Sequence, residues 1–521
     1  MVLTGSPRPG PRPSANVRRA GRAELALLVA LAGLAVAPLA GLLLRVALRG
    51  GHFTGGDGLL VLDQLQYLNW LRQASEHVLV GNLYDLAPGP RSFLHPGVAI
   101  SGALHALGLG IAAAYLVWKP VAVLALWAGV VAWCHRLLQP GGGRLAAIAL
   151  TLFFASPVAA LVGWIGLSGE GVKLDFDFLG GELTSGNFVW GYSFTAIAVG
   201  LVPLGLLAHE RARTGWAAAA GLVAAWLQPW QGATFLLTLL ATEAVLWRRR
   251  GRSPALGRLA VVACAAVAPL VYYLALSHLD AAWRLAARAN DLGAWPWWVT
   301  VIGLAPLAVP AAFGVTRAPD DFAGWALRLW PLAALFVFVA PVGTFPAHAF
   351  QGLTLPLAVL AALGVGRAVR GVAAWALIAL LVVPGTLYRV DQIRSAVNVG
   401  RQPFFLEDGE YDALRWLDRA PQAGGVLAPI YTGLLVPAWT GRETWVGAGS
   451  WTPDFDARVQ RAERLFSGRA GRAEAEALVR GSGARFVLSD CHGRADIVRL
   501  LAGVTGPPRR FGCATVWQVR R

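Results

Sequence analysis

Apolar runs of membrane-spanning length recur along most of this chain, and they limit the folds open to it more than any motif does. The first, residues 25–44, is long enough to cross about 30 Å of hydrocarbon as a helix. No small-x-small cleavage pattern precedes Arg45, so it reads as a retained span rather than a removed leader. Further candidate spans lie at residues 114–135, 145–166, 190–208, 215–228, 230–247, 259–277, 296–314, 329–345, 351–366 and 371–388. The expected fold class is a polytopic α-helical membrane protein of about eleven transmembrane helices, within a range of about ten to thirteen. One interval is ambiguous: residues 215–247 are interrupted by Gln228, Pro229, Trp230 and Gln231, which fits two short spans or one kinked helix.

Composition agrees. Only 14% of the 521 residues are charged, where soluble proteins have about 25%. A net charge of +16 raises the question of nucleic acid, but the basic residues sit in short clusters between apolar runs rather than along one face, so no nucleic-acid partner is expected. Residues 1–22 form a basic, proline-rich tail with Arg8, Arg12, Arg18, Arg19 and Arg22, predicted to be disordered and cytoplasmic. Alternating sides from there puts Arg136, Arg211, Arg213 and the Arg248 to Arg250 cluster inside, the bias that sets membrane orientation. The prediction is a multi-pass plasma (inner) membrane protein, its domain of spans covering residues 23–388 with a first outer loop at 49–113. Abundant Ala, Gly, Arg and Leu with a single Met fit a GC-rich bacterial gene.

The first outer loop carries the most suggestive pattern. If Asp63 opens a helix, steps of 100° place Asp63, Gln66, Tyr67 and Trp70 within roughly one third of its circumference, with Leu65 and Leu68 pointing away. One side then offers a carboxylate, an amide and two aromatic rings to a sugar or lipid headgroup at the membrane surface. Asp57 lies between glycines upstream, as a turn residue or a second acid, and His95 precedes Pro96 at the loop's far end. Later outer loops hold Lys173, Asp175, Asp177 and Glu182, then Arg284 and Arg288, then His348 and Gln351. Charges at such depths need water, a partner or a ligand. Asp175 and Asp177 are candidate oxygen ligands for a divalent cation, against the commoner reading of a solvated acidic loop.

Residues 389–521 read differently, with strands predicted near 425–430, 444–447, 485–489 and 514–519 and helices near 410–420, 456–466, 472–480 and 494–502, a small extracytoplasmic α/β domain. Cys491 and Cys513 both fall in it, in an oxidising compartment, either bridged or as two buried thiols.

An Asp near the start of a helix in the first outer loop, many spans and a C-terminal extracytoplasmic α/β domain together resemble the GT-C superfamily of membrane glycosyltransferases, which includes protein mannosyltransferases and the aminoarabinose transferase of lipid A. In that superfamily the first outer loop carries the catalytic carboxylate within a short acidic motif followed by Tyr. The nearest match here is Asp63 with Tyr67, and Asp57 lies six residues upstream. A second likeness is residues 345–357, FPAHAFQGLTLPL, similar to a Leu-Pro-rich segment that contacts the lipid phosphate. The resemblance implies sugar transfer from a polyprenyl-phosphate donor to an extracytoplasmic glycan, lipid or protein acceptor with inversion. It makes Asp63 the candidate base with Asp57 as the alternative, Lys119, Lys173, Arg284 and His348 the candidate phosphate contacts, and Gln228, Trp230, Gln231 and Gln351 candidate cavity residues. Two other functions fit the same features: a transporter or flippase of a lipid-linked intermediate, or a non-catalytic scaffold of the same architecture.

Overall fold

The structure, a computed structural model, describes residues 15–520 apart from 59–60, 88, 167–169, 252–254, 291–295, 341–344, 367–370, 397–402 and 494. Each predicted apolar run contains helix among the described residues. The chain opens with α1 (Ala15–Arg49), which takes in the last part of the predicted tail; residues 1–14 lie outside the described residues. The first loop folds as a short strand β1 (His52–Phe53), then α2 (Val61–Ala74), α3 (Pro96–Ala106) and α4 (Ile111–Leu116). There follow α5 (Trp118–Leu137), α6 (Gly142–Phe153), α7 (Pro157–Ile165), α8 (Glu170–Leu183), α9 (Ser193–Glu210), α10 (Thr214–Leu227) and α11 (Pro229–Arg250). The membrane part ends with α12 (Leu256–Leu279), α13 (Ala281–Ala289), α14 (Trp297–Gly314), α15 (Phe322–Val339), α16 (Thr354–Val365) and α17 (Val372–Ala396).

Length and apolarity qualify seven helical stretches as spans among the described residues, or eight if the pair α6 and α7, bent by 42°, is one span. That is fewer than eleven for a physical reason. At a rise of 1.5 Å per residue, α10 and α16 reach only about 21 and 18 Å, and Glu243 and the arginines from Arg248 interrupt the apolar character of α11. The ambiguous interval folds back on itself: Gln228 is extended (φ −152°, ψ 97°) between α10 and α11, and a Cβ at Gly232 would meet the Cα of Ala225 at 2.4 Å, a closeness a continuous helix forbids. Helix α15 begins seven residues earlier than predicted because the Asp321 side chain caps it, accepting from the Gly324 N–H at 2.9 Å.

The C-terminal segment contributes β2 (Phe405–Leu406), α18 (Asp408–Arg419), β3 (Val426–Leu427), α19 (Ile430–Gly433), α20 (Val436–Thr440), α21 (Phe455–Phe466), α22 (Arg472–Ser482), β4 (Phe486–Ser489), α23 (Val498–Leu501), β5 (Arg509–Phe511) and β6 (Ala514–Gln518). Four strands form one sheet in the order β3-β4-β6-β5, with only the β3–β4 pair parallel. Val487 and Trp517 face a core made with Leu465, Val479 and Leu501, while Phe486, Leu488 and Val516 face the opposite side with Leu414 and Leu417. Both faces are covered, so these strands are apolar throughout. Cys491 and Cys513 form a disulfide joining the end of β4 to the β5–β6 turn. The predicted helix at 494–502 shrinks to α23, and Arg494 lies outside the described residues.

The described residues of the first loop pack into the protein. They are wedged between the spans and the C-terminal segment, and α2 is buried on nearly every side, Leu65 and Leu68 included. The seam is specific. β1 pairs antiparallel with β2, His52 opposite Leu406 and Phe53 opposite Phe405, and the His52 ring stacks on Tyr411 at 3.7 Å. Buried Tyr84 donates its hydroxyl to the Leu434 carbonyl (3.1 Å), Arg72 pairs with Asp418 (2.8 Å) and Arg458 with Asp85 (3.0 Å). A β-ladder cannot pass through hydrocarbon, so the first loop and the C-terminal segment share one side, and the chain crosses an even number of times between Phe53 and Phe405. Single cysteines at Glu76→Cys and Arg499→Cys should therefore react alike with a membrane-impermeant maleimide added to spheroplasts. Arg213→Cys, three crossings further on from the first loop, should be protected under the same conditions, and equal labelling of all three would reject this topology.

Candidate functional site

Where the first loop meets the ends of α8 and α9, five chain segments bring polar groups together. Asp63 lies in the first turn of α2, where the positive end of the helix dipole favours a carboxylate, and its Oδ2 accepts the Tyr192 hydroxyl at 2.7 Å. Tyr192 immediately precedes α9. Glu182, near the end of α8, takes two bonds on one oxygen: the His348 Nδ1 at 3.0 Å and the Gln351 amide nitrogen at 2.7 Å. The Gln351 side-chain oxygen accepts from the Gln228 side-chain nitrogen (2.8 Å), the Gln231 side-chain amide donates to the His348 backbone carbonyl (3.1 Å), and Trp230 meets the His348 ring edge-on at 4.8 Å. Solvent reaches Asp63, yet protein surrounds it closely enough that loss of hydration raises its pKa, with the Tyr192 hydrogen bond and His348 pulling it down and Glu182 pushing it up. A carboxylate both reachable and enclosed lies in a recess.

Beneath the recess is a polar knot. Lys119, at the start of α5, places Nζ 2.5 Å from Asp57 and donates to the Val189 carbonyl at 2.6 Å. The Asp57 N–H donates to the Gln64 side chain on α2, and the Tyr115 hydroxyl to the Gly191 carbonyl. Burial pushes the Asp57 carboxyl upward and Lys119 opposes that shift. The two backbones approach so closely that a Cβ at Gly58 (φ +102°) would meet the Trp190 carbonyl oxygen at 2.3 Å. The knot thus ties the loop leading into Asp63 to the segment carrying Tyr192.

The structure gathers some of the predicted residues and disperses others. Asp63, Gln228, Trp230, Gln231, His348 and Gln351 converge. Tyr67 lines the inner side of α2 against Tyr115 and Phe194, and Trp70, two turns beyond Asp63, joins Phe93, Trp283 and Trp451 in an aromatic cluster. Gln66 is buried. His95 is a helix cap: its Nδ1 accepts the Val98 N–H at 3.2 Å, its other contact is the Leu227 backbone, and burial lowers its pKa to about 4, so it is neutral with both nitrogens engaged. Lys119 and Asp57 hold each other. Lys173 is exposed on α8, and Arg284 is exposed on α13 with its guanidinium on the His278 carbonyl (3.3 Å). Asp175 and Asp177 are two residues apart on a helix and so point about 200° apart, which prevents joint chelation; the Asp177 carboxylate instead accepts the Tyr388 hydroxyl at 2.8 Å. Among the described residues, three metal-type donors close together only at Glu407, Cys491 and Cys513, where both sulfurs are in the disulfide.

Tyr192, Glu182 and Arg389 belong to the site without standing in any motif. Arg389 is the most consequential. It is buried near the end of α17, its guanidinium held by the Asp177 carbonyl (2.5 Å) and the Gln392 side chain (2.6 Å), and it lies within electrostatic range of the Asp177 carboxylate and, more weakly, of Glu182. Among the described residues no carboxylate oxygen comes within ion-pair distance of it. Space for it comes from Gly180, where a Cβ would meet its Nη2 at 2.3 Å. An arginine at the end of an apolar run is the one signal the sequence offered. The recess therefore combines a carboxylate able to take a proton, a carboxylate-bound imidazole and a buried cation suited to an anion.

No protein-family model matches the sequence, and no curated protein does. Among solved structures, the chain is similar to the archaeal oligosaccharyltransferase AglB of Archaeoglobus fulgidus in complex with an inhibitory peptide and a dolichol-phosphate, with a TM-score of 0.49 and 13% identity over 93% of this chain and 72% of that one. It is also similar to ArnT of Cupriavidus metallidurans bound to undecaprenyl phosphate, with a TM-score of 0.48 and 13% identity over 97% of this chain and 98% of that one.

Removing one partner of the knot leaves a buried charge alone, which costs about 3–5 kcal/mol. Lys119→Met should accordingly lower the thermal unfolding midpoint in detergent. Adding Asp57→Asn should recover part of the loss; a double variant no better than the single one would dismiss the pair as the cause.

Proposed function

We propose that this chain is a GT-C-type membrane glycosyltransferase that moves a sugar from a polyprenyl-phosphate-linked donor to an extracytoplasmic acceptor with inversion. The observation that carries this reading is the recess at Asp63: an enclosed carboxylate, the carboxylate-bound imidazole of His348, and the buried Arg389 guanidinium within electrostatic range of Glu182, on the side of the membrane that holds the C-terminal segment. Asp63 takes the proton from the acceptor hydroxyl or amine as that atom attacks the anomeric carbon. The anomeric C–O bond to phosphate breaks, and its electron pair leaves on the phosphate oxygen. Arg389 and the His348 ring stabilise that developing charge. Tyr192 holds the Asp63 carboxylate by one hydrogen bond, and Glu182 orients His348 through Nδ1. None of these roles draws on a metal. The disulfide supports an oxidising, extracytoplasmic location for the C-terminal segment, and the basic residues at the facing ends of α5 and α6, between α9 and α10 and in the last turn of α11 support a cytoplasmic N-terminus in a plasma membrane. The interlocked seam weighs against the transporter reading, because rocking one half against the other would break the β1–β2 ladder.

With normal membrane expression, Asp63→Asn should reduce transfer of labelled sugar from a polyprenyl-phosphate donor by at least about 100-fold; unchanged transfer would remove Asp63 as the base. The pH profile gives a second check. Because the folded-state pKa of Asp63 is raised, the base is lost as pH falls through a value above the usual ~3.9, so the acid limb should lie above that value. The Tyr192 bond favours the ionised form, so Tyr192→Phe should move this limb further up, and a downward move would contradict the assignment. For Arg389→Ala, the expected outcome is a strong loss of donor-dependent turnover that Arg389→Lys partly restores.

A further inference from the structure

Helix α13 has two unlike sides. Inward, Trp283 packs on Phe93 (4.7 Å), Trp451 (5.1 Å), Trp70 (6.2 Å) and Tyr273 (6.2 Å), Ala286 is buried, and Asn290 just beyond its end contacts Ser450 at 3.2 Å. Outward, Arg284 and Arg288 are exposed one turn apart. The acid nearest in the described chain, Asp280, is turned away from them: its Oδ1 caps α13 through the Ala282 and Trp283 N–H groups, and its Oδ2 accepts from Ser92 at 2.5 Å. Among the described residues, neither guanidinium has a carboxylate partner within ion-pair distance.

The level of this face relative to the membrane follows from its neighbours. α13 starts two residues after α12, a 24-residue apolar span, ends. Leu279, on the near side, is 82% exposed, and Trp297, opening the next span, is 76% exposed. Side chains that large and apolar at the ends of two spans belong at the hydrocarbon boundary. The arginines between them stand at the height of lipid phosphates, their stems free to lie along the apolar surface. We propose that Arg284 and Arg288 form a docking surface for anionic phospholipid headgroups of the outer leaflet, separate from the Asp63 recess. Through Trp283 and Trp70, a lipid held there bears on the helix that carries Asp63.

A basic residue near an anionic bilayer surface contributes a factor of about five to lipid affinity, so the pair should contribute about 25-fold. The test is native mass spectrometry of the purified full chain in micelles titrated with phosphatidylglycerol and phosphatidylcholine. Wild type should retain phosphatidylglycerol preferentially, and Arg284→Ala/Arg288→Ala should weaken that retention by about 25-fold. Arg284→Lys/Arg288→Lys should keep most of it, and Arg211→Ala/Arg213→Ala on the other membrane face should change nothing at this site. Raising the salt concentration on wild type alone should weaken the same binding, a readout that needs no variant to fold. Equal retention of both lipids, an unaffected double alanine variant, or selective loss of undecaprenyl phosphate rather than phosphatidylglycerol in that variant would each overturn the proposal.

Discussion

Everything at the recess depends on the contact between Lys119 and Asp57. A buried ammonium and a buried carboxylate are each unfavourable alone, and their attraction is the reason neither can move independently. One comes from the start of a span and the other from the loop that leads into α2. The same ammonium also binds the Val189 carbonyl, three residues before Tyr192. This single contact therefore fixes three backbones at once, and the Asp63–Tyr192 hydrogen bond is formed between groups already held in place. Preorganisation of this kind lets a carboxylate act without reorganising as charge moves.

A second constraint works at larger scale. The sheet of the C-terminal segment is covered on both faces by its own helices, while its α18 and α20 also grip the first loop. Buried tyrosine and paired charges along that seam mean that the segment is locked onto the first loop rather than appended to it. The aromatic cluster at Trp70 belongs to the same construction: two rings, Trp70 and Phe93, come from the loop, one from α13 and one from Trp451 near the C-terminal sheet.

Much of this was legible in the sequence because it rests on periodicity. Apolar runs gave the positions of the helices, alternation and run length gave the strands β3, β4 and β6, and Asp63 stood out as an acid opening a helix. Span count was less legible, because α10, α11 and α16 are short or polar enough that only the fold-back at Gln228 and the shared side of β1 and β2 constrain them. The helical-wheel reading of α2 grouped Gln66 and Trp70 with Asp63, but a wheel reports angles and not what covers them, and tertiary packing buried both. His95 and Lys119 looked like ligands because isolated polar residues in apolar surroundings do; each is occupied by a structural partner. Arg389 and Tyr192 escaped notice, and Glu182 stood out only as an outer-loop charge, because their meaning arises only when segments far apart in the chain meet.

The two-residue ladder between His52–Phe53 and Phe405–Leu406 also bears on how such a protein is made. Tyr84 and its hydrogen-bond partner Leu434 are 350 positions apart, and synthesis proceeds at roughly 5–20 residues per second. The first loop must then wait for roughly 20–70 s, its aromatic residues uncovered, until its partner strand is made. Until that moment the nascent chain has inserted helices but an incomplete seam, and the waiting loop is the segment left most exposed during synthesis.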